Sequence, residues 1–297
     1  MTNPIISPYR YNVLQSQIKN ILGEPNGNVG YNQSVRSQSV AKLAIVLENH
    51  MNDLYTDYAK VYQHQTGAAP ATISQVTTAD EITEALYAAY ETLYPILFAN
   101  RFDVDASELS SNETLDESIR TTTWGGNLLP QSLEHEIKLT FADTNAKLGF
   151  FNAGGQITFA FEMSNAGAGD KSQGWQTMLA NIGIVTFDHT STSNTGSGVG
   201  SAKGLHDLTD TYQQLYIKAG EGAAYTDNDL VIEGRTDAAE LYFKIIMRDD
   251  AVGSDPGGFG PTDEPVNGTI TSTVKTNRSD GQVINAAPIV LTLSELE

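Results

Sequence analysis

The sequence predicts an α+β chain: a helical N-terminal anchor followed by an antiparallel β-sandwich of jelly-roll type. Three observations carry that expectation. Apolar residues recur at helical spacing through roughly the first hundred residues and at alternate positions from Trp124 onward. Turn residues separate short apolar runs throughout the C-terminal part. No strand–helix alternation of the kind that builds a parallel sheet is present.

Tyr11 to Leu22 places Leu14, Ile18, Ile21 and Leu22 on one helical face, with Gly23 and Pro25 as stop signals. Gly23 to Ser34 reads as a Gly- and Asn-rich loop. A second helix is expected from about Ser39 to His64, its stripe running Leu43, Leu47, Met51, Leu54, Tyr58 and Val61, partly in heptad rhythm. Gly67 and Pro70 end it. Thr78 and Glu81 form a capping-box pattern before a third helix with Ile82, Leu86, Leu93 and Leu97 on one stripe, ending near Pro95 to Asn100. Residues 1–100 are therefore expected to form the helical assembly region. Residues 101–123, acidic and without a period, read as a linker, and 124–297 as the sandwich. So few amphipathic helices are not expected to bury their stripes without partners, which makes the first region an assembly-dependent anchor.

Within 124–297, Glu134 to Phe141 alternates His135, Ile137, Leu139 and Phe141 against polar neighbours, the pattern of a half-buried strand. Phe150 to Gly155 looks like the end of one strand at a Gly-Gly turn, and Gln156 to Met163 like the next, a hairpin. Ser172 to Asn181 has helical spacing through Trp175, Met178 and Leu179. Further strands are expected over 182–189, 212–219, 229–235, 240–248, 268–278 and 282–293.

Composition narrows the function classes. The chain carries 36 acidic and 17 basic residues in 297, a formal net charge of −19. Such a field repels phosphate backbones, so no nucleic-acid partner is expected. With no cysteine, thiolate nucleophiles, disulfides and cysteine-ligated zinc are all excluded. Met1 to Arg10 lacks a signal-peptide core, and no stretch reaches membrane-span length. A soluble chain made in a cytoplasm, without membrane insertion, is the expectation.

No residue is singled out as catalytic, cofactor-binding or metal-ligating. Gly196 to Lys203 is the nearest approach to a phosphate loop, but Ser201 replaces the second glycine and the lysine is displaced. No Gly-x-Ser-x-Gly elbow occurs. His50, His64, His135, His189 and His206 lie in unrelated contexts. His135 falls on the apolar side of its strand, and His206 beside Asp207 reads as a turn. Asp249 to Gly258, continuing to Asp263 and Glu264, offers the oxygen ligands of a calcium loop but lacks the EF-hand pattern. Trp124, Trp175 and the tyrosines are candidates for a sugar-binding platform, and many acids leave a glycosidase pair open without marking one.

Particular stretches carry a resemblance. Tyr11-Asn12-Val13-Leu14-Gln15 through Ile21-Leu22-Gly23, Gly30-Tyr31-Asn32-Gln33-Ser34, His50-Met51-Asn52-Asp53-Leu54 and His64-Gln65-Thr66-Gly67 lie in the N-terminal part. Phe150-Phe151-Asn152-Ala153-Gly154-Gly155-Gln156-Ile157, Trp175, Asp207-Leu208-Thr209, Tyr212-Gln213, Arg248-Asp249-Asp250 and Asn267 to Ser272 lie further on. Together these resemble virion structural proteins of tailed phages, especially cyanobacterial myophages; Asp80 to Thr123 is the least similar part. The resemblance implies a non-enzymatic particle component, assembled in the host cytoplasm, with no catalytic motif and no cofactor. Its N-terminal segments would dock on other virion proteins and its sandwich would face outward. The station (neck, sheath, baseplate, tail fibre or capsid surface) stays open. A homo-oligomer is expected, a trimer preferred because fibre-like appendages usually need one. Two other classes remain: a carbohydrate-binding module for a host surface glycan, and a polysaccharide-degrading enzyme.

Overall fold

A computed structural model describes residues 7–77, 82–127, 129–221, 225–251, 263–281, 283–286, 289–294 and 296. They divide into two compact units. The first comprises 1–111, 143–155 and 278–287; the second comprises 112–142, 156–277 and 288–297.

The first unit is built on three helices: α1 (Pro8–Leu22), α2 (Glu48–Thr66) and α3 (Glu84–Ala99). Ser7 caps α1 by accepting from the Tyr9 N–H at 3.2 Å, and Pro8 supplies a φ already suited to the first turn. The α2 helix ends at Gly67, whose φ of 72° is the left-handed conformation that glycine adopts without penalty. In α3 the cap is Thr83, whose Oγ1 accepts from the Leu86 N–H at 3.2 Å. Thr78 and Glu81, the sequence-predicted capping box, lie outside the described residues. A 3-10 turn, Ala106–Glu108, follows α3, then strand β1 (Leu109–Arg120).

The helical stripes meet one another. Tyr11, Leu14, Ile18, Ile21, Leu54, Tyr58, Tyr87, Tyr90 and Leu97 form one buried cluster with Ala153 and Ile284. Tyr58 and Tyr90 pack edge to face, ring centroids 4.9 Å apart. Two of the buried phenol groups reach backbone: the Tyr11 hydroxyl donates to the His50 carbonyl at 3.1 Å and the Tyr31 hydroxyl to the Arg101 carbonyl at 2.5 Å. The expectation of stripes without a core of their own is therefore overturned. Residues 143–155 and 278–287, distant in sequence, complete the unit.

Two further expectations fail here. The second helix starts at Glu48, not near Ser39, because the backbone of 36–40 is captured by side chains. Asp57 accepts from the Arg36 and Ser37 N–H groups at 2.9 and 2.7 Å, and Asn12 makes a two-way pair with the backbone of Val40. Those bonds replace the helical ladder. Phe150 to Gly155 does not end a strand either. Asp143 accepts from the Ala146 N–H at 2.7 Å and starts helix α4 (Thr144–Asn152). Both phenylalanines are buried on it, and Gly154, at φ 82°, makes the exit turn.

The second unit holds most of two antiparallel sheets. Strand β2 (Ser132–Thr140) buries Leu133, His135, Ile137 and Leu139 and exposes the residues between. After α4 come β3 (Gln156–Ser164), helix α5 (Asp170–Ile182), β4 (Ile184–Phe187), β5 (Thr192–Asn194), β6 (Val199–Gly200) and a 3-10 turn, Leu205–Asp207. The chain finishes through β7 (Gln213–Ala219), β8 (Asp229–Asp237), β9 (Glu240–Arg248), β10 (Thr269–Ser279) and β11 (Val290–Leu293). One sheet has the order β1-β10-β3-β4-β5, the other β11-β2-β9-β8-β7-β6. Early and late strands are neighbours in both. Inner faces meet where Phe243 of β9 lies edge-on to Phe159 of β3 and Phe187 of β4, at 4.9 and 5.1 Å. The expected α+β architecture with a β-sandwich is therefore present, with more strands than the about eight of a jelly roll.

The division at 101–123 is corrected. Part of that segment is β1, an edge strand of the first sheet. Its polar side chains hold backbone: Ser118 Oγ accepts from the Leu296 N–H at 2.9 Å, and Arg120 donates to the Leu296 carbonyl at 3.1 Å. A strand held this way leaves no apolar alternation to read.

Candidate functional site

The most conspicuous apolar exposure in the helical unit is the segment leading into α2. Residues 36–40 are fixed by Asp57, by Asn12 and by Gln15, whose amide donates to the Ser37 carbonyl at 3.1 Å. Val46 is buried, and the Leu47 N–H donates to Nδ1 of His50 at 3.0 Å, opening the helix. Between these two anchor points the chain turns outward. Leu43 is 95% exposed, Ile45 70% and Leu47 53%. Three large aliphatic residues in five positions are held out by a backbone that is itself tied down. Burying one fully against a partner is worth about 1.5–3 kcal/mol.

A cleft of about 710 Å³ adjoins this edge, with Val46, Leu47, Val76 and Ile82 among its apolar lining residues. Its far wall is fixed by Asn52, whose amide makes a two-way pair with the Val76 backbone at 2.8 and 2.9 Å. Arg36 and Asp53, ion-paired at 2.5 Å, supply charge among the residues lining it. Leu47 belongs to both the exposed edge and the lining of the cleft, where apolar residues lie among charged and polar ones, a composition suited to a protein-binding patch. Helical spacing places Leu43 and Leu47 on a buried stripe, so this surface is not legible in the sequence.

The motifs singled out in the sequence lie apart from this surface. Gly196 to Lys203 contains β6, paired with β7 (Val199 to Ile217, Gly200 to Tyr216), and the Tyr216 hydroxyl donates to the Ser197 carbonyl at 2.6 Å. The helix that a phosphate loop requires does not follow it; a 3-10 turn does. His206 sits in that turn next to Asp207, whose carboxylate accepts from the Gly204 N–H. His189 lies 3.8 Å from Asp188. Among the described residues no three His, Asp or Glu side chains converge as a metal shell. No helix of the described residues is long and apolar enough to cross a membrane.

His64 and His135 are fully buried. Nε2 of His64 faces the Ala153 carbonyl at 3.2 Å, and Nδ1 of His135 faces Ser272 Oγ at 3.0 Å. Burial lowers both from the ordinary 6.5 to about 4. The unfolded chain thus takes up protons near pH 6.5 while the folded chain resists until about 4. The stability from the neutral rings is complete above the unfolded value and is lost as pH falls through that window, on the order of 3 kcal/mol for each histidine. Urea unfolding at pH 7 and pH 5 captures about 2 kcal/mol of it for each histidine. His135→Asn is expected to flatten the pH dependence relative to wild type.

Trp124 and Trp175, the leading candidates for a sugar platform, are each 1% exposed and pack edge to face at 4.8 Å. Half-exposed tyrosines remain on the outer face of the six-stranded sheet. There the Arg235 guanidinium lies 3.6 Å from the centre of the Tyr242 ring and 5.2 Å from that of Tyr212, covering the ring face that a sugar would use.

The acidic loop gives the least expected result. Asp249 and Asp263, read as possible cation ligands, face the ammonium of Lys171 in the first turn of α5. Lys171 Nζ is 2.7 Å from Asp249 Oδ2 and also hydrogen-bonded to Asp263. A cation at a helix N-terminus opposes the helix dipole, so the two carboxylates supply its stabilisation. The Gly126 N–H adds a bond to Asp249 Oδ2 at 3.2 Å. Nothing in the helical pattern of Ser172 to Asn181 signals a buried lysine one residue before it. Residues 252–262 of the loop lie outside the described residues.

No protein-family model, no curated protein and no solved structure matches the chain.

Proposed function

We propose that the chain is a structural component of a tailed-phage particle, docked on a neighbouring virion protein through the Leu43–Leu47 edge and the adjoining cleft. The observation carrying this reading is the exposed apolar edge. The helical unit satisfies its own core, so these three side chains are not exposed for want of a place to bury them. A surface that keeps about 1.5–3 kcal/mol per aliphatic side chain unclaimed is complete only with a partner on it. The resemblance to virion structural proteins supplies the class of partner. The net charge of −19 suits a protein accumulated to high concentration before assembly. Self-association into a trimer belongs to the same reading, with the particle as the place where it forms. The glycan-binding alternative loses its main support with the burial of both tryptophans.

The double substitution Leu43→Ser and Ile45→Ser tests the assignment. Both side chains point to solvent, so the folded chain should keep its stability to within about 0.5 kcal/mol. Incorporation into particles, measured by quantitative mass spectrometry after complementation of a deletion, should fall at least tenfold, corresponding to a loss of about 1.4 kcal/mol or more of docking energy. Undiminished incorporation rejects the edge as the docking surface.

A further inference from the structure

We propose that Lys171 and Asp249 join in an intramolecular isopeptide bond that the chain forms on itself, with Asp263 carrying the proton. Four observations converge on it. The lysine and Asp249 side chains are both fully buried, and Nζ lies 2.7 Å from a carboxylate oxygen, so amine and carbon are held at reacting distance without diffusion. A second carboxylate, Asp263, is hydrogen-bonded to the same ammonium. The Gly126 N–H points at Asp249 Oδ2, where negative charge grows when the carbonyl carbon is attacked. Asp249 Oδ1 is buried and has no hydrogen-bond partner among the described residues, so it is the oxygen placed to depart.

The surroundings favour condensation over a plain ion pair. Two carboxylates share one ammonium, with Lys171 and Asp249 fully and Asp263 largely buried, and no second cation is paired with them among the described residues. Burial is the main influence on Asp249 and raises its carboxyl above the ordinary 3.8, toward the neutral acid that an amine can attack. Trp175, one turn along α5, and Trp124, beside the Gly125–Gly126 pair that packs on Asp249, are both buried and keep the site apolar. Added bulk at Gly125 would collide with the Asp249 carboxylate, so the approach depends on glycine there.

The step balances without any other reactant. A proton passes from the ammonium to the carboxylate pair, and the neutral amine adds to Cγ of Asp249. Asp263 takes a second proton from nitrogen and returns it to the departing oxygen. One N–C bond forms, one C–O bond breaks and one water leaves; nothing is oxidised or reduced. The product ties the start of α5 to the end of β9 and closes a long loop covalently, which stabilises by restricting the unfolded chain.

Intact-mass spectrometry of the folded full chain decides the matter. The expected mass is one water below that of the sequence, with a proteolytic digest yielding a branched peptide joined at Lys171 and Asp249. Lys171→Arg should restore the full mass. Asp263→Asn leaves amine and acid in place and should slow the loss of water roughly a hundredfold, the usual worth of a positioned proton carrier. A wild-type chain that keeps its full mass after folding overturns the proposal. So does a loss of water that survives Lys171→Arg, as a cyclic imide at Asp280-Gly281 would give. Fragmentation of the wild-type branched peptide locates the bond even where a variant fails to fold.

Discussion

Phe243→Ala should destabilise the sandwich by about 3–5 kcal/mol, the range for deleting a large buried aromatic side chain. Phe243 is fully buried on β9 and is the ring on which both inner faces converge, against Phe159 and Phe187. Its neighbours across the strand pairs are Ile137 on β2 and Gly234 on β8, where Leu215 already fills the space above the glycine. Backbone ladders on both sides limit collapse into the cavity, which places the cost toward the upper end. Urea denaturation with hydrogen exchange on β3 and β9 measures it. Phe243→Leu keeps most of the volume and should cost less than half as much. An alanine variant within 1 kcal/mol of wild type would mean that the two faces do not share this core.

Asp57→Ala should have the largest effect on the helical unit, about 2–4 kcal/mol. The side chain of Asp57 is fully buried in the middle of α2 and accepts from two backbone N–H groups, those of Arg36 and Ser37. Hydrogen bonds to a charged acceptor are worth about 1.5–3 kcal/mol each, offset partly by the relief of removing a buried charge. Asp57→Asn should be nearly as damaging, since its single carbonyl oxygen satisfies one donor and its NH₂ opposes the other. Amides over 36–40 should lose exchange protection first, since that segment depends on this carboxylate. Equal protection in wild type and both variants would contradict the account of how the edge is held.

These two positions also show what the sequence makes legible. The β2 alternation through Leu133, His135, Ile137 and Leu139 can be read directly because one face is buried and the other wet. The same holds for the stripe of α1 and for α5 around Trp175. Illegible were the places where side chains bind backbone far away in sequence. Asn12 holds Val40, and Asp57 the Arg36–Ser37 backbone just before the expected helix start, in extended chain, and with this Leu43 and Leu47 pass from core to surface. A local signal was overridden as well: the Asp143 cap on the Ala146 N–H starts a helix through Phe150 and Phe151, where two aromatics before Gly-Gly suggest a strand. The strand β1 has Ser118 buried and Ile119 59% exposed, so apolar periodicity points the wrong way. The edge of the candidate site was hidden by the same capture of backbone that creates it.

The buried lysine was out of reach for a related reason. Asp249 and Asp263 stand fourteen residues apart in a loop whose composition suggests a cation, and the cation comes from Lys171, 78 residues before Asp249. Charge pairing at that separation leaves no local mark. What the acidic loop did reveal correctly was a concentration of carboxylate needing positive charge.

The docking claim is tested most directly by cross-linking intact particles. Lys42 is exposed and next to Leu43, so an amine-reactive cross-linker reports on the edge itself. Lys42 should be joined to a residue of a different virion protein, and that link should be lost on Leu43→Ser with Ile45→Ser. A chain absent from purified particles, or present with Lys42 as reactive as in the free protein and linked to nothing, would contradict it.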